Sequence, residues 1–102
     1  MRIEHYPVKK LKKQILDIVS RHLDLHLYRV FFFGSRVAEC NSPRSDIDIG
    51  IEGPEEIPAR ASVEIRESLD NLPTLYRFDI VDFHKVTPDF KKEAFKSIEY
   101  VN

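Results

Sequence analysis

The chain has 102 residues, a length that suits one domain with a single core and no stapling cross-links. Apolar residues make up 42% and charged residues 32%, with 3 Gly and 6 Pro, which excludes collagen-like, mucin-like and disordered chains. Sixteen Lys and Arg against seventeen Asp and Glu leave a net charge of −1, so strong nucleic-acid binding through bulk charge is not expected. The longest apolar run, Val30 to Phe33, is too short to cross a bilayer, and the lysine-rich start lacks the apolar segment of a leader peptide. The single Cys40 cannot form an internal disulfide, which suits a reducing cytoplasm.

From Pro7 the pattern is helical: Leu11, Ile15, Ile18, Val19 and His22 share one face, while Lys9, Lys10, Lys12 and Lys13 mostly take the other. The lysines read as a solvated face and His22 as a core-edge residue. Tyr28 to Phe33 is rich in aromatic and β-branched residues, predicting a strand that stops at Gly34-Ser35. Its consecutive phenylalanines, Phe31 to Phe33, suit a strand buried on both faces. Arg36 to Ser45 reads as a short helical turn that becomes a loop around Asn41-Ser42-Pro43. Asp46 to Glu52 alternates strictly, with Ile47, Ile49 and Ile51 on one face and Asp46, Asp48 and Gly50 on the other, and Gly53-Pro54 ends it. A helix over about Pro58 to Asn71 carries Ala61, Ile65, Leu69 and Leu72 in register before Pro73. Arg77 to Phe83 forms a third strand with Asp79, Val81 and Phe83 facing one way. Thr87-Pro88 then starts a short helix bearing Phe90, Ala94, Phe95 and Ile98. This order predicts one α/β domain over residues 1–102, a small mixed sheet of about three strands with helices packed on one face.

Aspartate is depleted in strands, yet the second strand carries two at i and i+2, which sends both carboxylates out of one face. The isoleucine row opposite seats the strand and prevents them from turning away. Asp79, between Phe78 and Ile80, joins them if the second and third strands are neighbours. At ~4 Å and an effective dielectric of ~20, each like-charge pair costs about 4 kcal/mol, and a hard divalent cation removes that cost. The pattern therefore points to metal and phosphate chemistry. Asp82, three residues from Asp79, projects from the other face and reads as structural or as lying near a helix terminus. The histidines have no metal-ligand spacing, and Cys40 has no activating neighbour.

The run Phe32-Phe33-Gly34-Ser35-Arg36, then Ser45-Asp46-Ile47-Asp48-Ile49, then Phe78-Asp79-Ile80-Val81-Asp82, resembles the minimal nucleotidyltransferase family, relatives of the DNA polymerase β catalytic domain. The resemblance extends from about Val30 to the C-terminus. It implies that Gly34 and Ser35 hold a nucleoside triphosphate, with Arg36 and Arg44 as countercharges. It also implies that Asp46 and Asp48 ligate Mg²⁺ (two ions, with Mn²⁺ as a substitute) and that Asp79 completes the site nearest the acceptor. The reaction implied is transfer of a nucleoside monophosphate, AMP from ATP, with pyrophosphate leaving. Ala38-Glu39 departs from the Arg-Gly that many relatives carry there, which weighs against turnover more than against the fold.

No segment is left over for an acceptor-binding domain, so acceptor recognition is expected from a separate protein or from self-association. Relatives of this kind commonly act beside a small helical partner of the HEPN type as the antitoxin half of a toxin–antitoxin pair, attaching AMP to it. Two rival readings are a non-catalytic nucleotide-binding or interaction subunit, and nucleotidyl transfer to a small molecule such as an aminoglycoside.

Overall fold

A computed structural model describes residues 7–34, 46–74 and 76–102. Helix α1 (Val8–Ser20) buries Leu11, Ile15, Ile18 and Val19, the stripe expected from its spacing. Pro7 stands one residue earlier than a first-turn position. It is the N-cap, in extended backbone, and its carbonyl accepts the Leu11 N–H at 3.0 Å. Strand β1 (Arg29–Phe33) is followed by β2 (Ile47–Glu52), helix α2 (Ala59–Asp70), β3 (Phe78–Asp82), helix α3 (Pro88–Ala94) and a two-residue β4 (Glu99–Tyr100). Thr87 caps α3 as expected, its side chain accepting the Phe90 N–H at 3.1 Å.

The strands lie in the order β3-β2-β1-β4. Strand β1 runs antiparallel to β2 and β4, whereas β2 and β3 are parallel, and α2 supplies the crossover that a parallel pair requires. Each strand is slightly shorter than its sequence pattern, so Asp46 sits one residue ahead of β2 instead of inside it. The hydrogen bonding nevertheless runs on: Ile47 N–H donates to the Arg77 carbonyl at 2.9 Å, and Phe83 N–H to the Ile51 carbonyl at 2.9 Å.

Two features differ from the sequence expectation. The sheet has a fourth strand, and the helices do not share one face. Val30 and Phe32 pack with α1 and α2, whose Ile15, Val19, Ile65 and Leu69 are buried against Ile47, Ile49 and Ile51. Phe31 and Phe33 point the other way, into a cluster with Phe83 that Ala94 and Phe95 cover from the α3 side. An unbroken apolar run has greasy residues at both parities, so β1 needs a lid on each face, and the short third helix is the second lid. Strand β4 is held by Val101 N–H donating to the Val30 carbonyl at 2.8 Å and by the Asn102 side chain. That amide accepts from Val30 N–H at 2.7 Å and donates to the Tyr28 carbonyl at 3.0 Å. The ion pair of Lys12 Nζ with Glu99 Oε2 at 2.9 Å ties this edge to α1.

Gly50 makes the aromatic layer possible. A Cβ there would lie 2.5 Å from Phe31 Cζ and 2.7 Å from Phe83 Cε1, so its absence lets the two rings meet edge-on with centroids 4.8 Å apart. Asp82 is structural, as expected: Oδ2 accepts the N–H of buried Ile57 at 2.9 Å, and Oδ1 accepts the His84 N–H at 2.9 Å. Asp82→Ala strands the Ile57 donor and is expected to lower stability by about 2 kcal/mol, with Asp82→Asn, which keeps one acceptor oxygen, in between. Urea denaturation checks this, and an unchanged midpoint in the alanine variant would contradict it.

Candidate functional site

The site is where β1 ends and β2 and β3 begin. Ile47, Ile49 and Ile51 are buried completely against the α1 and α2 side, and Phe78 and Ile80 take the same side on β3. Alternation therefore sends Asp48 and Asp79 to the α3 side. The parallel register makes them direct partners, Asp48 opposite Asp79, as Ile47 is opposite Phe78. Asp48 is partly buried, while Asp79 and Asp46 are exposed. Burial pushes the Asp48 carboxyl above the usual carboxylate range, and the negative charges of Asp79 and then Asp46 push it further in the same direction. Asp79 and Asp46 are thus each within electrostatic reach of Asp48, which alternation places on the same side of the sheet as Asp79.

Gly34 closes the site on the β1 flank. Phe33 is the register partner of Asp48, and the next residue, Gly34, has φ +85°, in the left-handed region that favours glycine. A Cβ at that position would overlap Asp48 Oδ2 and lie 3.3 Å from its Cγ. Gly34 is therefore required twice, by its backbone angle and by the carboxylate that occupies the space beside it. Phe33, read from the sequence as core, is core and also the wall next to Asp48. Ser35, Arg36 and Arg44, together with Ala38, Glu39, Cys40 and Ser45, lie outside the described residues.

The donor set decides what cation suits this place. Among the described residues, no three His, Cys, Asp or Glu side chains form a ready-made metal-binding group. Two carboxylates on neighbouring strands with a third at the rim match a different kind of site. Mg²⁺ takes one or two carboxylates and completes its octahedron with water and substrate phosphate oxygens. The donors are all hard oxygens, and the carboxyl of Asp48, raised first by burial and then by the charges of Asp79 and Asp46, is one whose ionised form a cation would favour. Among the described residues, no helix is long and apolar enough to cross a membrane.

Comparison with known proteins bears on the fold and the family. No curated protein sequence matches the chain. Among solved structures, a toxin–antitoxin with AMP-PNP superposes with a TM-score of 0.73 at 18% identity, over 89% of this chain and 72% of that one. A mutant of the toxin–antitoxin MntA–HpeT gives 0.71 at 15% identity over 89% and 71%. A complex of a tri-AMPylated Shewanella oneidensis HEPN toxin with MNT antitoxin gives 0.67 at 16% identity over 93% and 72%. At these identities the likeness speaks for the fold alone. The family model for polymerase beta nucleotidyltransferases matches residues 13–101, nearly the whole chain, so this protein belongs to the polymerase beta nucleotidyltransferase family.

Proposed function

We propose that this protein is a Mg²⁺-dependent nucleotidyltransferase that moves AMP from ATP onto a small helical HEPN-type partner, as the antitoxin half of a toxin–antitoxin pair. One observation carries the reading: Asp48 and Asp79 are register partners on the α3 side of the sheet, with Gly34 packed against Asp48. Gly34 and Ser35 hold the triphosphate, with Arg36 and Arg44 as countercharges. Asp46, Asp48 and Asp79 are the residues that would hold the metal, and Asp79, on the flank away from Gly34, favours deprotonation of the acceptor. Bound Mg²⁺ would neutralise phosphate charge and polarise the transferring phosphoryl group. The AMP-PNP complex and the AMPylated HEPN toxin among the structural neighbours support the choice of nucleotide and partner.

Transfer is tested with α-labelled ATP and Mg²⁺, with and without the helical protein encoded beside this one. Label is expected on the partner only when both proteins and the cation are present. Asp48→Asn is expected to reduce labelling at least about a hundredfold, as loss of several kcal/mol of charge stabilisation implies. Nucleotide binding without any label transfer would favour a non-catalytic subunit instead.

Stability gives a separate test. A carboxyl whose folded pKa is raised binds its proton more tightly in the native state, so the ionised form costs stability above that pKa. In metal-free buffer, Asp48→Asn is therefore expected to melt as high as the wild type or higher at neutral pH. The difference should shrink as pH falls into the carboxylate range, where the penalty on the wild type is lost. Mg²⁺ with ATP at a hundredfold over its dissociation constant adds about 2.7 kcal/mol to the wild type, or about 10 °C or more in Tm for a chain of this size. The asparagine variant is expected to lose that gain. Thermal melts across pH, with and without ligand, read both effects, and a large destabilisation of the ligand-free variant would make Asp48 a structural hub.

A further inference from the structure

Arg77 stands one residue ahead of β3, and its carbonyl accepts the Ile47 N–H at 2.9 Å, so the β2–β3 pairing continues through it. Alternation then places it on the same side of the sheet as Asp79, two residues along, and level with Asp46. Arg77 is exposed. Among the described residues, Arg21 pairs with Asp17, Arg60 with Glu64, and Arg29 lies over the Tyr100 ring. The Arg77 side chain, like that of Arg66 on α2, makes no ion pair, hydrogen bond or ring contact among the described residues, but unlike Arg66 it stands level with Asp46 and two residues from Asp79. Among the described residues, nothing takes up its five N–H donors.

We infer that Arg77 binds the α-phosphate of the nucleotide, an assignment that rests on the nucleotidyl-transfer reading above. The strand order supplies the reason. Gly34 ends β1, Asp48 lies on β2, and Asp79 and Arg77 lie on the β3 flank. A triphosphate whose far end rests at Gly34 crosses the acids and brings its α-phosphate to β3. There the carboxylates of Asp46, Asp48 and Asp79 repel phosphate oxygens, and a guanidinium at the rim offsets that field. Its planar fork also matches two phosphate oxygens, which a lysine ammonium does not. The ligand class is a 5′-nucleotide, distinguished from free pyrophosphate by the phosphate it alone presents to β3.

The test compares wild type, Arg77→Ala and Arg77→Lys by thermal melting against rising ATP, AMP and pyrophosphate, each with Mg²⁺. Without ligand the variants are expected to melt with the wild type, because the side chain is exposed and makes no ion pair, hydrogen bond or ring contact among the described residues. Arg77→Ala is expected to weaken ATP and AMP by about tenfold to a hundredfold, the loss of one charge-assisted contact, while leaving pyrophosphate unchanged. Arg77→Lys keeps the charge without the fork and falls between. Unaltered ATP and AMP affinities in Arg77→Ala overturn the assignment and leave the nucleotide reading intact. Equal weakening of all three probes overturns it too, since Arg77 then supplies only a general positive field. A wild type that no probe stabilises removes the nucleotide reading, and this assignment with it.

Discussion

Like charges on adjacent strands are the constraint around which this fold is arranged. Asp48 and Asp79 face each other across the parallel pair, with a separation set by the ladder and not by their own preference. At an effective dielectric of ~20, two carboxylates ~4 Å apart cost about 4 kcal/mol, less here because Asp79 is exposed and screened. Turning β2 over to separate them would bring Ile47, Ile49 and Ile51 out of a core in which each is 0% exposed. Burying an isoleucine is worth about 1.5–3 kcal/mol, so the row together outweighs the repulsion. The apolar face thus imposes the acidic one, and the repulsion persists as a standing affinity for positive charge.

Two glycines let the α3 side of the sheet hold both that charge and an aromatic layer. Along β2 the residues on this side are Asp48, then Gly50, then Glu52. The space above Gly50 goes to the rings of Phe31 and Phe83, which also meet Phe33, Phe90 and Phe95. The space beside Gly34 goes to the Asp48 carboxylate. Glu52 is neutralised by an ion pair with Lys91 of α3, so the one remaining acid of the row is tied to the helix that covers the rings. Asp48 thus lies between the Gly34 backbone beside its carboxylate and the Gly50 position that the rings cover, partly buried, and burial raises its carboxyl.

Much of this was legible in the residues, and the parts that were not have a common cause. Period-two patterns in β2 and β3 and period-3.6 patterns in α1 and α2 identify these elements because each has one apolar face. The pairing of Asp48 with Asp79 follows once the second and third strands are neighbours, and the anomaly of aspartates in a strand pointed to the site. Strand β4 escaped because two residues carry no period, and what holds it is a side chain, the Asn102 amide, standing in for backbone. The position of α3 was implied by Val30 to Phe33, whose two parities demand two lids, but the pattern of the last helix does not say which face it covers. Arg77 read only as a strand boundary. Its meaning depends on register, and register belongs to the fold rather than to any local segment.

The division of labour between the two faces also explains how a chain this small can carry a charged site at all. The larger core, with α1 and α2, lies wholly on one side of the sheet, and the acids lie on the other. Substitutions separated by the sheet and sharing no partner tend to add independently, so the residues of the site can vary without unravelling the core that aims them. The coupling that does exist passes through β2, where alternate residues belong to opposite faces of one backbone. A shift of one residue in its register would bury Asp48 among α1 and α2 and expose the isoleucines, two penalties at once. The three isoleucines that β2 gives to the core therefore fix the aim of the carboxylates, and the site inherits its precision from packing that never touches it.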